Sequence, residues 1–331
     1  MSRPLVIGHR GASGYRPEHS RSAYELALAM GVDAVEPDVV VSRDGVLVVR
    51  HENEISGTTD VADRPEFAGR RTTKLIDGVQ WSGWFVEDFT WGELSTLRCR
   101  ERLPKLRPGS AAHDDRDPVL RLRDVLDLVR VRGGGEVGVV LEIKHATFFA
   151  DRGWDVAELV AAELGAAGWG QGAPPLTIES FEQTVLGHVR ARGVSATFVY
   201  LLEASGAPAD LVARDGVDAA TYASLAAPEG LDALRDAVDG ISVHKRMLLA
   251  PDTRGRVTDR SRIIPDAHAR GLSVFTWTCR PENAFLTPQF RNGLDRAARG
   301  DWQGEWALLR DAGVDGVFVD HPDLGVDLFR R

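Results

Sequence analysis

Short apolar runs punctuate the chain, and the stretches between them return an apolar residue every three or four positions. LVIG (5–8), VGVVLEI (137–143), LTI (176–178), ATFVYLL (196–202) and LSVFTW (272–277) read as buried strands. One pattern recurs and organises the rest: GVDAVEPD (31–38), GVDAATYA (216–223), GVDGVFVD (313–320) and the looser AVDGISVH (237–244). Each predicts a helix stop followed by a strand, because Gly accepts the left-handed conformation that ends a helix and β-branched residues suit a buried extended segment. The segments before them fit helices. SRSAYELALAM (20–30) spaces Ala23, Leu26, Ala27 and Met30 on one face after a Ser cap, and LRDVLDLVR (122–130), LDALRDAV (231–238) and WALLRDA (306–312) resemble it.

The alternation predicts about eight strands interleaved with helices, the pattern of a parallel sheet in the α/β class. Eight such units in roughly 250 residues favour a closed (β/α)8 TIM barrel over an open doubly wound sheet. The first strand is not followed by GxGxxG, so the dinucleotide-binding alternative lacks its main support. The expected organisation is a single catalytic domain over residues 1–331, with an insertion at 52–117 on an early βα loop. That insertion carries WSGWFVEDFTW (81–91), enough aromatics for a small core, and is read either as a lid or specificity element at the mouth or as packed decoration.

Composition narrows the partners. The chain is 331 residues, 43% hydrophobic and 27% charged, which is the make-up of a globular protein. Its 40 basic and 49 acidic residues leave a net charge of −9, which disfavours a broad footprint for nucleic acid or anionic membrane and points to a small-molecule partner. Cys99 and Cys279 are far apart without metal-site spacing and are expected to be packing residues. No run reaches the length of an integral membrane segment, and MSRPLVIGHRG begins at Met without a secretory pattern, so the expected location is cytoplasmic.

The chemistry concentrates in three early strands. In VEPDVVVSRDGVLVVRHEN (35–53), Glu36 and Asp38 are two apart and share a face of the strand. Asp44-Gly45 signals a hairpin; with these two as the loop, Arg43 pairs with Val46 and His51 falls opposite Asp38, while a one-residue slip still leaves His51 beside the acids. Pro37 lacks a ladder donor and puts the acids at the strand's rim. Two buried carboxylates repel unless a proton or a cation joins them, so the spacing alone fits either a site for a hard cation or a pair bridged to arginines. LVIGHRGASG delivers His9 and Arg10 at the end of the first strand, next to the second in a βαβ unit. VVLEIKH (139–145) brings a third carboxylate, Glu142, and a cation, Lys144, with the same spacing. Together the three strands favour a catalytic reading.

At these residues the chain resembles the glycerophosphodiester phosphodiesterase family. The resemblance rests on HRG (9–11), PEHS (17–20), EPD (36–38), DGVLVVRHE (44–52), LEIK (141–144), SF (180–181), FTWT (275–278) and GVFVDHPD (316–323), in order over nearly the whole chain. It implies a TIM barrel with an insertion after the second histidine. It also implies His9 and His51 as the acid–base pair and Glu36, Asp38 and Glu142 as ligands of one divalent cation, Ca2+ or Mg2+. Arg10 and Lys144 become phosphate contacts, and Trp277 becomes either a wall beside the substrate or a packing aromatic at the mouth. Glu18 is expected to orient the first loop. The chain departs from the family pattern in having PEHS where PEN-T is frequent, with His19 as an extra contact, and PVLRLRD (118–124) at the helix after the insertion.

The implied reaction is hydrolysis of a glycerophosphodiester. A hydroxyl of the substrate glycerol, held by the metal, attacks phosphorus while one histidine removes its proton and the other protonates the departing alcohol. Water then opens the cyclic phosphate to give sn-glycerol 3-phosphate. Three rivals stand beside it: a lysophospholipid or sphingomyelin phosphodiesterase on the same barrel, a metal-dependent sugar-phosphate aldolase or isomerase using Lys144, and a barrel that binds without catalysis.

Overall fold

A computed structural model describes residues 3–257 and 261–330. Its strands in chain order are β1 (Leu5–His9), β2 (Ala34–Glu36), β3 (Asp38–Val41), β4 (Leu47–Val49), β5 (Thr72–Ile76), β6 (Val79–Gly83), β7 (Gly138–Ile143), β8 (Leu176–Ser180), β9 (Thr197–Leu202), β10 (Gly240–His244), β11 (Ser273–Cys279) and β12 (Gly316–Val319). All of these except β4, β5 and β6 pair in parallel, and β1 contacts both β12 and β2 while β2 also pairs with β7, which closes the sheet. With β2 and β3 counted as one interrupted stave, the barrel has eight parallel staves, the (β/α)8 fold.

Pro37 is the interruption. It has no N–H to donate, but its carbonyl accepts from Glu142 N at 3.0 Å, so the stave continues on the acceptor side. Glu36 then pairs with His9 on one flank and Asp38 with Glu142 on the other. The proline thus aligns three acids and a histidine at one level of the barrel.

Side chains alternate in and out along each stave. Val6, Val35, Val139 and Ile241 face the helices, whereas Ile7, Ala34, Val140, Val199, Phe275 and Phe318 form a separate apolar plug inside the barrel. Two residues further along, the inward positions become His9, Glu36, Glu142, Trp277 and Asp320. The plug closes the floor beneath this polar layer.

The helix Arg21–Ala29 shows how a stave is held. Ser20 Oγ accepts from Ala23 N at 3.2 Å and caps it, and Ala23, Tyr24 and Ala27 are buried, with Leu26 and Met30 partly buried against the same core. Among the described residues no helix is long and apolar enough to cross a membrane. Cys99 and Cys279 are both buried and free.

Two sequence expectations need correction. GVDAATYA does not form a strand; Gly216–Asp218 is a single 3-10 turn and Tyr222–Leu225 a short helix capped by Thr221. Its three alanines and a capping Thr offer no β-branched run, and the looser copy ending at His244 supplies the stave instead. The β3–β4 hairpin is also slipped by one residue: Val39 pairs with Val49 and Val41 with Leu47, so Arg50 and not His51 stands opposite Asp38. The loop has three residues because Gly45, at φ +80°, follows a turn closed by Gly45 N donating to Ser42 O at 3.1 Å.

Between β4 and the helix Leu122–Arg132 the chain forms the antiparallel β5–β6 hairpin and several short turns of helix. Trp84, Phe85 and Phe89 from its aromatic stretch are buried and continuous with the helix-facing core.

Candidate active site

A cavity of about 1190 Å3 opens at the C-terminal end of the staves and is lined by His9, Arg10, Glu36, His51, Glu142, Lys144 and Trp277. Asp38 lies beneath it, fully buried. The eight residues expected from the sequence therefore sit in one place, although they divide into two charge groups.

In the first group are carboxylates. Glu36, Glu142 and Glu179 each offer an oxygen within 4.8 Å of the others, and all three are buried. Glu179 is the residue the sequence reading passed over; it stands beside Glu142 on β8, between the strand read as LTI and the SF motif. Its neighbours in register were the available signal. Burial, followed by the nearby carboxylates Asp38 and Glu142, raises Glu36 and Glu179 well above the usual carboxylate range. Burial also pushes Glu142 up to about 8, against the pull of Lys144.

Asp38 belongs to the second group. Its Oδ2 is 2.8 Å from His19 Nε2 and 3.3 Å from Arg10 Nε, and its Oδ1 is 3.2 Å from Lys144 Nζ, which also lies 2.5 Å from Glu142 Oε1. Burial opposes its ionisation, but Lys144, His51, His19 and Arg10 hold it well below the usual range. The extra histidine of PEHS thus braces Asp38, with its other nitrogen 2.8 Å from the Tyr24 hydroxyl.

Arg10 is held by a strained turn. It has φ 56°, its N–H donates to Glu36 Oε2 at 2.7 Å, and its guanidinium reaches Glu18 at 3.2 Å. Gly11 follows at φ +86°, where a Cβ would stand 2.6 Å from the backbone of Ala23. Glu18 is fixed in turn by both sides of the Arg102 guanidinium, at 2.7 and 2.5 Å.

His9 and His51 each have a carboxylate on Nδ1. His9 Nδ1 lies 2.6 Å from Asp320 Oδ1, and His51 Nδ1 lies 2.6 Å from Glu52 Oε1. Burial opposes ionisation of both acids, yet Arg280, Arg107 and His9 hold Asp320, and His51 and Arg102 hold Glu52, below the usual range. An ionised carboxylate only accepts, so Nδ1 carries the proton in both rings and Nε2 is left with its lone pair. Burial and then Arg10 lower His9 to about 4, and burial, Arg10 and Lys144 lower His51 to about 3.

Trp277 packs on the apolar plug, with its ring 5.7 Å from Phe181 and 4.9 Å from His244 in edge contacts. It is both a packing aromatic and part of the cavity wall.

The donor set suits a hard cation. All the acids offer oxygen, and Glu179 Oε2 is buried without a hydrogen-bond partner, while Asp38 Oδ1 and Glu142 Oε1 share the single ammonium of Lys144. Such oxygens require either protons or a positive ion.

Comparison with known proteins places the chain in a family. The model of the glycerophosphoryl diester phosphodiesterase family matches residues 9–324. A glycerophosphodiester phosphodiesterase of Arabidopsis thaliana is 30% identical over 336 residues, covering 96% of this chain and 84% of its own. One from Haemophilus influenzae is 25% identical, covering 98% and 90%. Among solved structures, an Oleispira antarctica phosphodiesterase in complex with the product sn-glycerol-3-phosphate matches with TM-score 0.64 at 19% identity, over 99% of this chain and 98% of that one. A glycerophosphodiester phosphodiesterase from Agrobacterium tumefaciens matches with TM-score 0.59 at 20% identity, over 98% and 99%. The chain belongs to the glycerophosphoryl diester phosphodiesterase family and is an enzyme of that class, a phosphoric diester hydrolase.

Proposed function

We propose that this enzyme hydrolyses glycerophosphodiesters to sn-glycerol 3-phosphate and an alcohol, with His9 and His51 as the acid–base pair. The observation that carries the reading is the pair of imidazoles, each backed by a carboxylate on Nδ1, lining one cavity with Arg10, Lys144 and the buried acids.

One imidazole takes the proton of an attacking hydroxyl of the substrate glycerol on its Nε2, and the other, with hydrogens on both nitrogens at that moment, gives its Nε2 proton to the departing alcohol; water then opens the cyclic phosphate with the two rings' roles reversed, which yields sn-glycerol 3-phosphate. Arg10 and Lys144 face the equatorial phosphate oxygens and offset the charge that grows there. Trp277 and Phe181 line the wall beside the leaving group. Glu36, Asp38 and Glu142, with Glu179 as a further carboxylate, would hold one divalent cation, Ca2+ or Mg2+. Bound there, such an ion would polarise a phosphoryl oxygen as a Lewis acid.

The test is release of glycerol 3-phosphate from a panel of glycerophosphodiesters with and without chelator. Release that is unaffected by chelator removes the metal from the reading, and no release at all removes the substrate. A second reading, an acyl-bearing lysophospholipid as substrate, is favoured by Leu75, Val79 and Trp81, which are exposed at 66, 53 and 40% on the cavity's hairpin wall. Faster turnover of a long-chain lysolipid than of glycerophosphocholine would select it.

A further inference from the structure

Behind His9 and His51 the chain has built the same device, and both copies are completed from one short stretch. Asp320, on the Nδ1 side of His9, has its second oxygen 2.6 Å from Arg107 Nη2 and 2.7 Å from Arg280 Nε. Glu52, on the Nδ1 side of His51, receives Arg102 on both oxygens, at 2.7 and 2.5 Å. Arg102 and Arg107 are five positions apart in the segment between β6 and the helix Leu122–Arg132. They are not elements of the barrel.

Neither arginine is a loose surface group. Arg107 is 7% exposed, its Nε donates to Glu282 at 2.7 Å and its Nη1 to Ser13 O at 3.1 Å. Arg102 spends the rest of its fork on Glu18, whose carboxylate holds Arg10. The segment is itself pinned: Glu101 accepts from Leu103 N at 2.8 Å and from Ser110 Oγ at 2.5 Å, and Arg107 N donates to Leu103 O at 2.9 Å. Glu52 is gripped on both oxygens by one guanidinium, whereas Asp320 has Arg107 and Arg280 on Oδ2 and His9 on Oδ1; either arrangement restricts the carboxylate's rotation, and a fixed carboxylate fixes the tautomer and tilt of the ring it accepts from.

We propose that Arg102 and Arg107 are positioning residues for the reaction, clamping Glu52 and Asp320 so that His51 and His9 both keep Nδ1 on their carboxylate and turn Nε2 to the substrate, to accept a proton in the ring that acts as base and to carry one in the ring that acts as acid. The proposal rests on the acid–base reading above. It makes the inserted segment the frame that sets the two rings relative to each other. The two clamps are not equal. Asp320 keeps Arg280 when Arg107 is removed, whereas among the described residues Arg102 is the guanidinium paired with Glu52, and it also braces Arg10 through Glu18.

The experiment is 15N NMR of the full-length protein labelled at histidine ring nitrogens, at pH 7.5 with Mg2+ present. Lines of the two rings are assigned with His9→Gln and His51→Gln. Both rings are expected as the Nδ1–H tautomer in the unaltered protein. Arg107→Gln is expected to move the His9 lines toward mixed tautomers and leave His51 in place, and Arg102→Gln to do the reverse. In kinetics, Arg107→Gln lowers kcat about 10-fold at nearly constant KM, and Arg102→Gln lowers kcat about 100-fold and raises KM, the range over which partners that orient functional imidazoles act. Circular dichroism checks folding; where Arg107→Gln does not fold, Arg107→Lys, which keeps charge but loses the fork, replaces it with the same expectation. Unmoved lines of the backed histidine in folded variants overturn the clamp, even if His9→Ala and His51→Ala are inactive. If the lines move as expected but those alanine variants keep the phosphodiesterase rate, the clamp stands and the acid–base reading falls.

Discussion

His19 and Asp38 form a fully buried pair, with Nε2 2.8 Å from Oδ2 and neither side chain exposed to solvent. His9 and His51 differ from His19, since each meets its carboxylate through Nδ1. His19→Leu removes a donor from Asp38 and a partner from Tyr24. A loss of about 1–3 kcal/mol is expected, the penalty of leaving buried polar groups unpaired. Urea unfolding checks it; unchanged stability would mean that Arg10 and Lys144 satisfy Asp38 without help.

The carboxylates that burial disfavours make the second prediction. A divalent cation that binds only the folded chain raises its stability, by about 2.7 kcal/mol at a concentration 100 times the dissociation constant. Thermal melts with Mg2+ or Ca2+ against chelator are expected to rise in the unaltered protein. Glu179→Gln is expected to shrink that rise while leaving the chelated protein as stable or more so, because burial and the neighbouring carboxylates already disfavour its ionised form. An equal rise in both proteins would exclude Glu179 from the ion's surroundings.

Asp320 sets an acid limit on stability. Burial works against its ionisation, but Arg280, Arg107 and His9 depress its folded pKa well below the ordinary value. A depressed carboxylate contributes stability that is fully present above its unfolded pKa, about 3.9, and is lost as pH falls through the folded value. Asp320→Asn is therefore expected to be less stable than the unaltered protein at pH 6, with the gap narrowing below about pH 4. Chemical unfolding of both proteins across that range measures the gap, and a constant difference would contradict the linkage.

Removal of either ring tests the chemistry directly. His9→Ala and His51→Ala are each expected to lower the phosphodiesterase rate by about 10^2 to 10^4, the span of acid–base catalysis by a placed side chain. The double variant is expected to fall little further than the slower single one, because the two rings act on one transfer. Steady-state assays on one glycerophosphodiester suffice, and near-full activity in both single variants would end the assignment.

Strand periodicity, glycine stops and the polar residues at strand ends were all legible in the linear order, because each depends on one residue's backbone preference or on alternation by two. That was enough for the barrel and for His9, Arg10, Glu36, Glu142 and Lys144 at its mouth; the rim expected at Pro37 is not where Asp38 sits, because the stave runs on through Asp38–Val41 and buries it beneath the cavity. It failed where local preference is weak. GVDAATYA repeats the spacing of a strand start without the side chains to make one, and the hairpin register turned on whether its loop held two residues or three. Tertiary structure alone decided the partners. Glu179 joins the acids only because β8 lies in register beside β7, and Asp38 is drawn to Lys144, His19 and Arg10 by charge inside a space no spacing rule describes. Arg102 and Arg107 meet Glu52 and Asp320 across 50 and 213 positions of chain, and separations of that size leave no period to read.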